Sequence, residues 1–283
     1  MSETALASPG VKKESSGVTS STLKIIAIVT MFLDHFAVVF GDELYEALPF
    51  LNANGFEVLR VIGRLAFPIF AFMIAVGATY TSNIYKYMGR LLAFAIISEI
   101  PFDLGLYATP LNEVLHETEH QNVFFTLFLG LMSIFVYEKL KDFNLEFLAF
   151  LFLLFAAFAA ENLLKTDYGA MGVLCIFLFY VFVNAPVGVR QVGIVLTAVL
   201  ISVMLTFSPY IETAWTYSGR EVHLYNLDIS ARVNTVELYA AFSSLLLLFH
   251  KGVKGRKMNR WFFYIFYPAH ILLLWAVHTV IFK

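Results

Sequence analysis

The chain is short of charge and holds a single cysteine. Asp, Glu, Lys and Arg make up 14% of its 283 residues, against roughly 25% in a soluble domain. With 59% hydrophobic residues and 30 Phe, a chain of this length cannot hide its apolar surface from water. The composition therefore excludes a water-soluble globule and points to an all-α, polytopic integral membrane protein. The lone Cys175 excludes an internal disulfide. It lies in an apolar segment and reads as packing, because a reactive thiol needs electropositive, accessible surroundings. The net charge of −2 argues nothing about nucleic acid, and no nucleic-acid partner is expected. No Gly-rich phosphate loop, nucleophile elbow, Ser/His/Asp order or internal repeat is present. The absence of a strong serine or cysteine nucleophile favours direct transfer over a covalent enzyme intermediate, were the chain an enzyme. His116 and His120, with Glu117 and Glu119, have helical metal-ligand spacing. Nothing else supports a metal site there, and the stretch reads as a solvated acidic loop.

What the chain has is apolar length. Residues 1–21, rich in Ser, Thr and small residues, read as a disordered cytoplasmic tail. Residues 22–283 then form one transmembrane domain with nine segments of spanning length, at about 23–40, 58–80, 87–107, 122–138, 145–163, 168–184, 188–208, 233–250 and 261–281. Each approaches the ~20 residues that a helix needs to cross ~30 Å of hydrocarbon. Basic residues gather at alternate ends: Lys12, Lys13 and Lys24; Lys86 and Arg90; Lys139 and Lys141; Arg190; and Lys251, Lys254, Arg256, Lys257 and Arg260. The positive-inside rule puts those ends, and the N-terminus, in the cytoplasm. The opposite side carries acidic loops with Asp42, Glu43 and Glu46, then Glu113, Glu117 and Glu119, and a long external loop at 209–232. An odd count of spans places the C-terminus outside.

Ionisable residues inside these segments share one depth. A charged group at the bilayer centre costs roughly 2.5 kcal/mol or more even on lenient insertion scales. Yet Asp34 and His35, Arg60 and Arg64, Glu99 and Asp103, Asn122, Asp167 and Tyr168, and Glu237 all fall in the outer part of their spans, and His270 lies at mid-depth. Packing errors would not share a depth; a hydrated cavity open toward the outside would. Arg60 and Arg64 share a helix face at i,i+4, as do Glu99 and Asp103, which suggests an ion-pair ladder between neighbouring helices. Asp34 and His35 are adjacent, so their side chains diverge by about 100° on a helix. Asp34 then turns to Arg60 or Arg64 while His35 faces the cavity. Pro68, Pro101 and Pro268 each remove a backbone donor, freeing the carbonyls of Arg64, Ile97 and Tyr264. Tyr267 and His270, at i,i+3, face one way.

Six strings carry a resemblance: LKIIAIVTMFLDH (23–35), LRVIGRLAFPIFAFMIAVG (59–77), RLLAFAIISEIPFDL (90–104), NVFFTLFLGL (122–131), DYGAMGV (167–173) and FYIFYPAH (263–270). In these the chain resembles the TraX family of integral membrane proteins, over nearly all of residues 23–281. That family is named for a protein that acetylates the N-terminus of pilin, and it looks related to the transmembrane acyltransferases. The resemblance implies a multi-pass bacterial plasma-membrane acetyltransferase. It would move an acetyl group from cytoplasmic acetyl-CoA to an amine or hydroxyl of an extracytoplasmic acceptor, a pilin-like peptide or a cell-surface glycan. It implies the essential early-helix histidine at His35, and binding or structural roles for Arg64, Glu99, Asp103, Asn122, Asp167, Tyr168, Tyr267 and His270. Arg60 joins these as a substrate-binding candidate, and Asp34 as the group that sets the field beside His35. His35 would be the general base, with Arg64 or Asn122 stabilising the oxyanion. Lys86, Arg90, Lys254 and Arg256 are candidates for the CoA phosphates, although positive-inside topology explains them equally. Two other classes stay open on the residues alone: a proton-coupled transporter relaying protons through Glu99, Asp103, His35 and His270, and a non-catalytic partner in which the polar cluster is structural glue.

Overall fold

The computed structural model describes residues 17–41, 43, 46, 52–107, 113–114, 120–217, 235–250 and 252–282. Among these the chain is helical, with two isolated bridges, Val18 to His250 and Gln121 to Thr166, in place of any sheet. The helices are α1 (Ser20–Val39), α2 (Asn52–Gly63), α3 (Ala66–Tyr80), α4 (Ile84–Leu106), α5 (Val123–Leu140), α6 (Glu146–Phe158), α7 (Gly169–Val183), α8 (Val187–Tyr217), α9 (Ser243–Leu248) and α10 (Arg260–Phe282). Each of the nine expected segments coincides with helix. Six have the length and composition to cross a membrane: Ser20–Val39, Glu57–Tyr80, Val123–Phe143, Glu146–Leu163, Val187–Ser208 and Arg260–Phe282. Helices 169–183 and 235–248 are apolar but shorter. α4 has 23 residues and carries Lys86, Arg90, Glu99 and Asp103.

Local chemistry sets the helix starts. Thr19 caps α1 by accepting from the Thr22 N–H, Asn83 caps α4 by accepting from Lys86, and Asn122 caps α5 by accepting from Phe124. Five buried hydroxyls are satisfied within their own helix, where Thr30, Ser133, Thr197, Ser202 and Thr206 donate to carbonyls one turn back. This is the economy that a membrane interior demands. Large apolar side chains such as Ile96, Phe147, Phe155 and Val192 stay exposed on the outer faces, as suits a lipid-facing surface.

Two details differ from expectation. The tail is shorter than residues 1–21, because Val18, Ser20 and Ser21 donate backbone hydrogen bonds to Phe249, Val253 and Lys254; residues 1–16 lie outside the described residues. The external loop begins later than residue 209, because α8 continues to Tyr217, and 218–234 lie outside the described residues. So do Asp42, His116, Glu117 and Glu119 of the acidic loops.

The first and last helices run parallel. The start of α1 meets residues 249–254, His35 meets His270, and Glu43 just beyond α1 accepts from His278 at 2.6 Å. Their starts share the basic end of the molecule and their ends share the acidic one. α3, α5 and α7 pack in the middle, and α4 closes against both α5 and α10. Phe72, Ile69, Leu131, Ile176 and Phe179 fill the interior between them.

Candidate active site

Asp34 is buried on α1 and turns away from its neighbour His35, as helix geometry requires. Both its oxygens lie 2.7 Å from Nη2 of Arg64, and Oδ2 lies 2.9 Å from Nη1 of Arg60. Arg64 also donates from Nη1 to Glu237 at 2.7 Å. Gly63 makes this approach possible, since a Cβ there would overlap the Asp34 side chain. The spanning segment 57–80 is broken at Arg64–Leu65, between α2 and α3, which releases Arg64 into the interior.

The ladder between Arg60/Arg64 and Glu99/Asp103 does not form. α2 packs on α1 and on the 3-10 turn Thr235–Phe242, whereas α4 packs on α5 and α10. The arginines therefore meet Asp34 and Glu237, and Glu99 accepts from the backbone N–H of Asn122 at 2.9 Å and from its side-chain amide. The same amide donates to the Ala95 carbonyl at 2.7 Å. Asp103 is buried one turn further along α4. Glu237 shares the common depth in the sequence but is not among the candidate site residues; that depth is the available signal.

Asp167 and Tyr168 form the turn into α7. The Asp167 N–H donates to Gln121 O at 2.8 Å and its carbonyl accepts from Thr126, which ties the turn to the start of α5. Tyr168 adopts φ 64° and stacks on Phe67 with centroids 3.7 Å apart. Both residues lie within electrostatic reach of Arg64 and Glu237.

His35 meets His270 across the α1–α10 interface, with Nδ1 2.7 Å from Nε2. His270 Nδ1 lies 2.7 Å from the Phe266 carbonyl one turn back. Tyr267 stands edge-on to His35, with centroids 5.9 Å apart, and is within electrostatic reach of Asp167, Glu99 and Tyr168. The structure thus gathers His35, Tyr267 and His270 at one point. The Asp34–Arg64–Glu237 network and the Glu99–Asn122 pair flank it.

A cavity of about 750 Å³ reaches Tyr267 of this group, while His35, expected to face a cavity, and His270 are not among its lining residues; its size is within the ~300–1,000 Å³ of small-molecule sites. Its inner wall includes Met31, Val123, Phe124 and Tyr267, and its mouth includes Ser20, Ser21, Lys24, Arg90, Lys254, Arg256, Lys257 and Arg260. It opens at the basic end of the molecule, not at the acidic end where an outward cavity was expected. Three of the four phosphate candidates, Arg90, Lys254 and Arg256, line it. Lys86 does not; it lies exposed in the first turn of α4. Lys24, Lys257, Arg260, Tyr87 and Tyr264 are additional lining residues. The guanidinium of Arg90 lies over the rings of Tyr87 and Tyr264 at 5.7 and 5.9 Å. Gly255, at φ 71°, lets the basic loop dock on the α1 cap, because a Cβ there would strike Thr19 and Ser21.

The TraX protein family matches residues 19–278. The chain belongs to the TraX family. This TraX-family chain is also 28% identical over 256 residues to the probable fimbrial assembly protein FimC, serogroup H1, of Dichelobacter nodosus, covering 89% of the chain and 92% of that protein. No solved structure matches it. The family match spans α1 to α10, and so includes every residue of the histidine pair, both flanking networks and the cavity.

Proposed function

We propose that the protein is a multi-pass acetyltransferase of the bacterial plasma membrane. It takes the acetyl group of cytoplasmic acetyl-CoA and places it on an amine or hydroxyl of an extracytoplasmic acceptor. The observation that carries this reading is one cavity that runs from a basic mouth to Tyr267, the ring edge-on to His35. The mouth supplies cations and hydroxyls for a phosphorylated carrier, and the apolar lining of Met31, Val123, Phe124 and Leu127 suits an extended pantetheine arm. Nine crossings with the N-terminus inside put the mouth in the cytoplasm. The parallel run of α1 and α10 supports that count, since two terminal crossing helices run parallel only when the total is odd.

The chemistry is a direct exchange. His35 accepts the proton of the acceptor N–H or O–H as its lone pair attacks the thioester carbonyl. The new C–N or C–O bond forms, the C–S bond breaks, and the CoA sulfur takes the proton back from His35. Arg64, whose charge reaches His35, supplies the cation for the developing oxyanion, whereas the Asn122 amide is already spent on Glu99 and the Ala95 carbonyl. The fimbrial assembly role in the relative's name favours a peptide N-terminus as acceptor over a cell-surface glycan.

The test uses the full chain in proteoliposomes with acetyl-labelled CoA outside and a pilin-like peptide or a glycan inside. Label on the enclosed acceptor, lost in His35→Ala protein of unchanged melting temperature, supports the reading. Uptake of an intact solute without label transfer would replace it with a transporter, and full transfer by His35→Ala protein would reject the role of His35.

A further inference from the structure

The two imidazoles of the site make a directional chain, and this inference rests on the acyltransfer reading above. The planes of His35 and His270 are within 3° of parallel with centroids 4.9 Å apart, while Nδ1 and Nε2 are 2.7 Å apart. That centroid spacing is the nitrogen gap plus one ring radius on either side. The rings therefore meet edge to edge, as an N–H···N hydrogen bond requires.

The direction follows from the far end. The Phe266 carbonyl can only accept, so the nitrogen 2.7 Å from it, Nδ1 of His270, carries a proton. A neutral imidazole has one N–H, so Nε2 of His270 is bare and accepts from Nδ1–H of His35. His35 is then left with its own Nε2 bare. His270 is held for this task by more than its hydrogen bonds: its ring stacks on Phe266 with centroids 4.7 Å apart, and the residue is 4% exposed. Asp34 cannot do this work, because both of its oxygens are engaged by Arg64 and Arg60.

We propose that His270 is a positioning residue that fixes the tautomer of His35, so that Nε2 of His35 is the atom that takes the acceptor proton. His270 plays toward His35 the part that a carboxylate plays in a Ser-His-Asp triad, with a neutral ring in place of the charge. A neutral partner suits a site at membrane depth, where a further buried carboxylate would need its own cation.

Two variants and one spectrum test it on the full chain. His270→Phe keeps the ring and its stacking but removes both nitrogens. It is expected to lower kcat about 100-fold while KM for acetyl-CoA stays unchanged. His270→Gln puts an amide oxygen where Nε2 was and is expected to restore most of kcat. Wild-type kcat in the Phe variant, or a Gln variant as slow as the Phe variant at equal membrane insertion and melting temperature, overturns the proposal. Solid-state ¹⁵N spectra of histidine-labelled wild-type protein, assigned by loss of one signal in His35→Ala, read the tautomer without relying on a variant's activity. A protonated Nδ1 and bare Nε2 on His35 support the assignment, and a protonated Nε2 overturns it. Absent acetyl transfer by wild-type protein, with the expected spectrum, would reject the acyltransfer reading and leave the relay standing.

Discussion

Asp34 presents both carboxylate oxygens to Nη2 of Arg64 at 2.7 Å, while Nη1 of the same guanidinium holds Glu237 at 2.7 Å. One buried cation thus neutralises carboxylates from two distant parts of the chain, 30 and 173 residues away. Arg60 touches Asp34 as well, but its side chain is 31% exposed against 9% for Arg64. The two arginines, one helical turn apart, should therefore differ sharply in energetic weight. Arg64→Ala takes the shared guanidinium from two buried carboxylates at once and is expected to cost about 3–5 kcal/mol. Arg60→Ala removes a half-screened contact and should cost about 1 kcal/mol or less. Denaturant or thermal melts in detergent measure both; equal losses would mean that Arg64 is not the centre of the network.

The contact between α1 and α2 is made close by Gly63. A methyl group there would enter the space of the Asp34 side chain, so Gly63→Ala is expected to cost about 1–3 kcal/mol by overpacking. The effect should depend on Asp34. In an Asp34→Gly background, which removes the Cβ and the carboxylate that a Gly63 side chain would meet, the Gly63→Ala increment should largely vanish. Additive losses in that double-mutant cycle would show that Gly63 serves something other than the Asp34 approach.

How much of this the sequence disclosed depends on distance along the chain. Apolar runs marked every helix, and the divergence of adjacent residues on a helix already turned Asp34 toward the arginines and His35 away from them. The error came from treating sequence neighbours as spatial neighbours. Arg60/Arg64 and Glu99/Asp103 lie on consecutive segments, but packing sends the first pair to α1 and to Glu237, and the second toward α5 and α10. Contacts such as His35–His270 and Ser20–His250 span 235 and 230 residues. Periodicity within one helix holds no information on which distant helix it will meet. The cavity was hidden for the same reason, since its mouth is assembled from the starts of α1, α4 and α10.

The charges at that mouth should govern affinity for the donor and leave the chemical step alone. Lys254 and Arg256 line the cavity on an exposed loop, so their attraction for phosphates is screened by salt over a Debye length of about 8 Å at physiological ionic strength. Lys254→Glu with Arg256→Glu is expected to raise KM for acetyl-CoA on the order of tenfold, to flatten its dependence on ionic strength, and to leave kcat intact. Lys86→Glu, a charge change of the same sign off the cavity, should do none of these. Matching effects from Lys86 and from the loop pair would reduce the mouth to a topology signal.

Glu99 and Asn122 offer a cleaner probe of the second flanking network, because Asn122 does two jobs with separable chemistry. Its side-chain oxygen caps α5 by accepting from Phe124 at 3.0 Å, and its amide nitrogen donates to Glu99 and to the Ala95 carbonyl. Asn122→Asp keeps the cap, since Asp serves as well as Asn there. It also replaces the donor with an acceptor and sets a carboxylate against Glu99. Asn122→Ala loses the cap as well as the donor, at about 1 kcal/mol for the cap, but creates no like-charge contact. The aspartate variant should therefore be the less stable of the two at neutral pH, even though it is the better helix starter. Adding Glu99→Gln removes the repulsion and supplies an amide facing the new carboxylate, so the double variant should recover most of the lost melting temperature. If Asn122→Asp melts above Asn122→Ala, or if Glu99→Gln fails to rescue it, Glu99 is not the charge that Asn122 restrains.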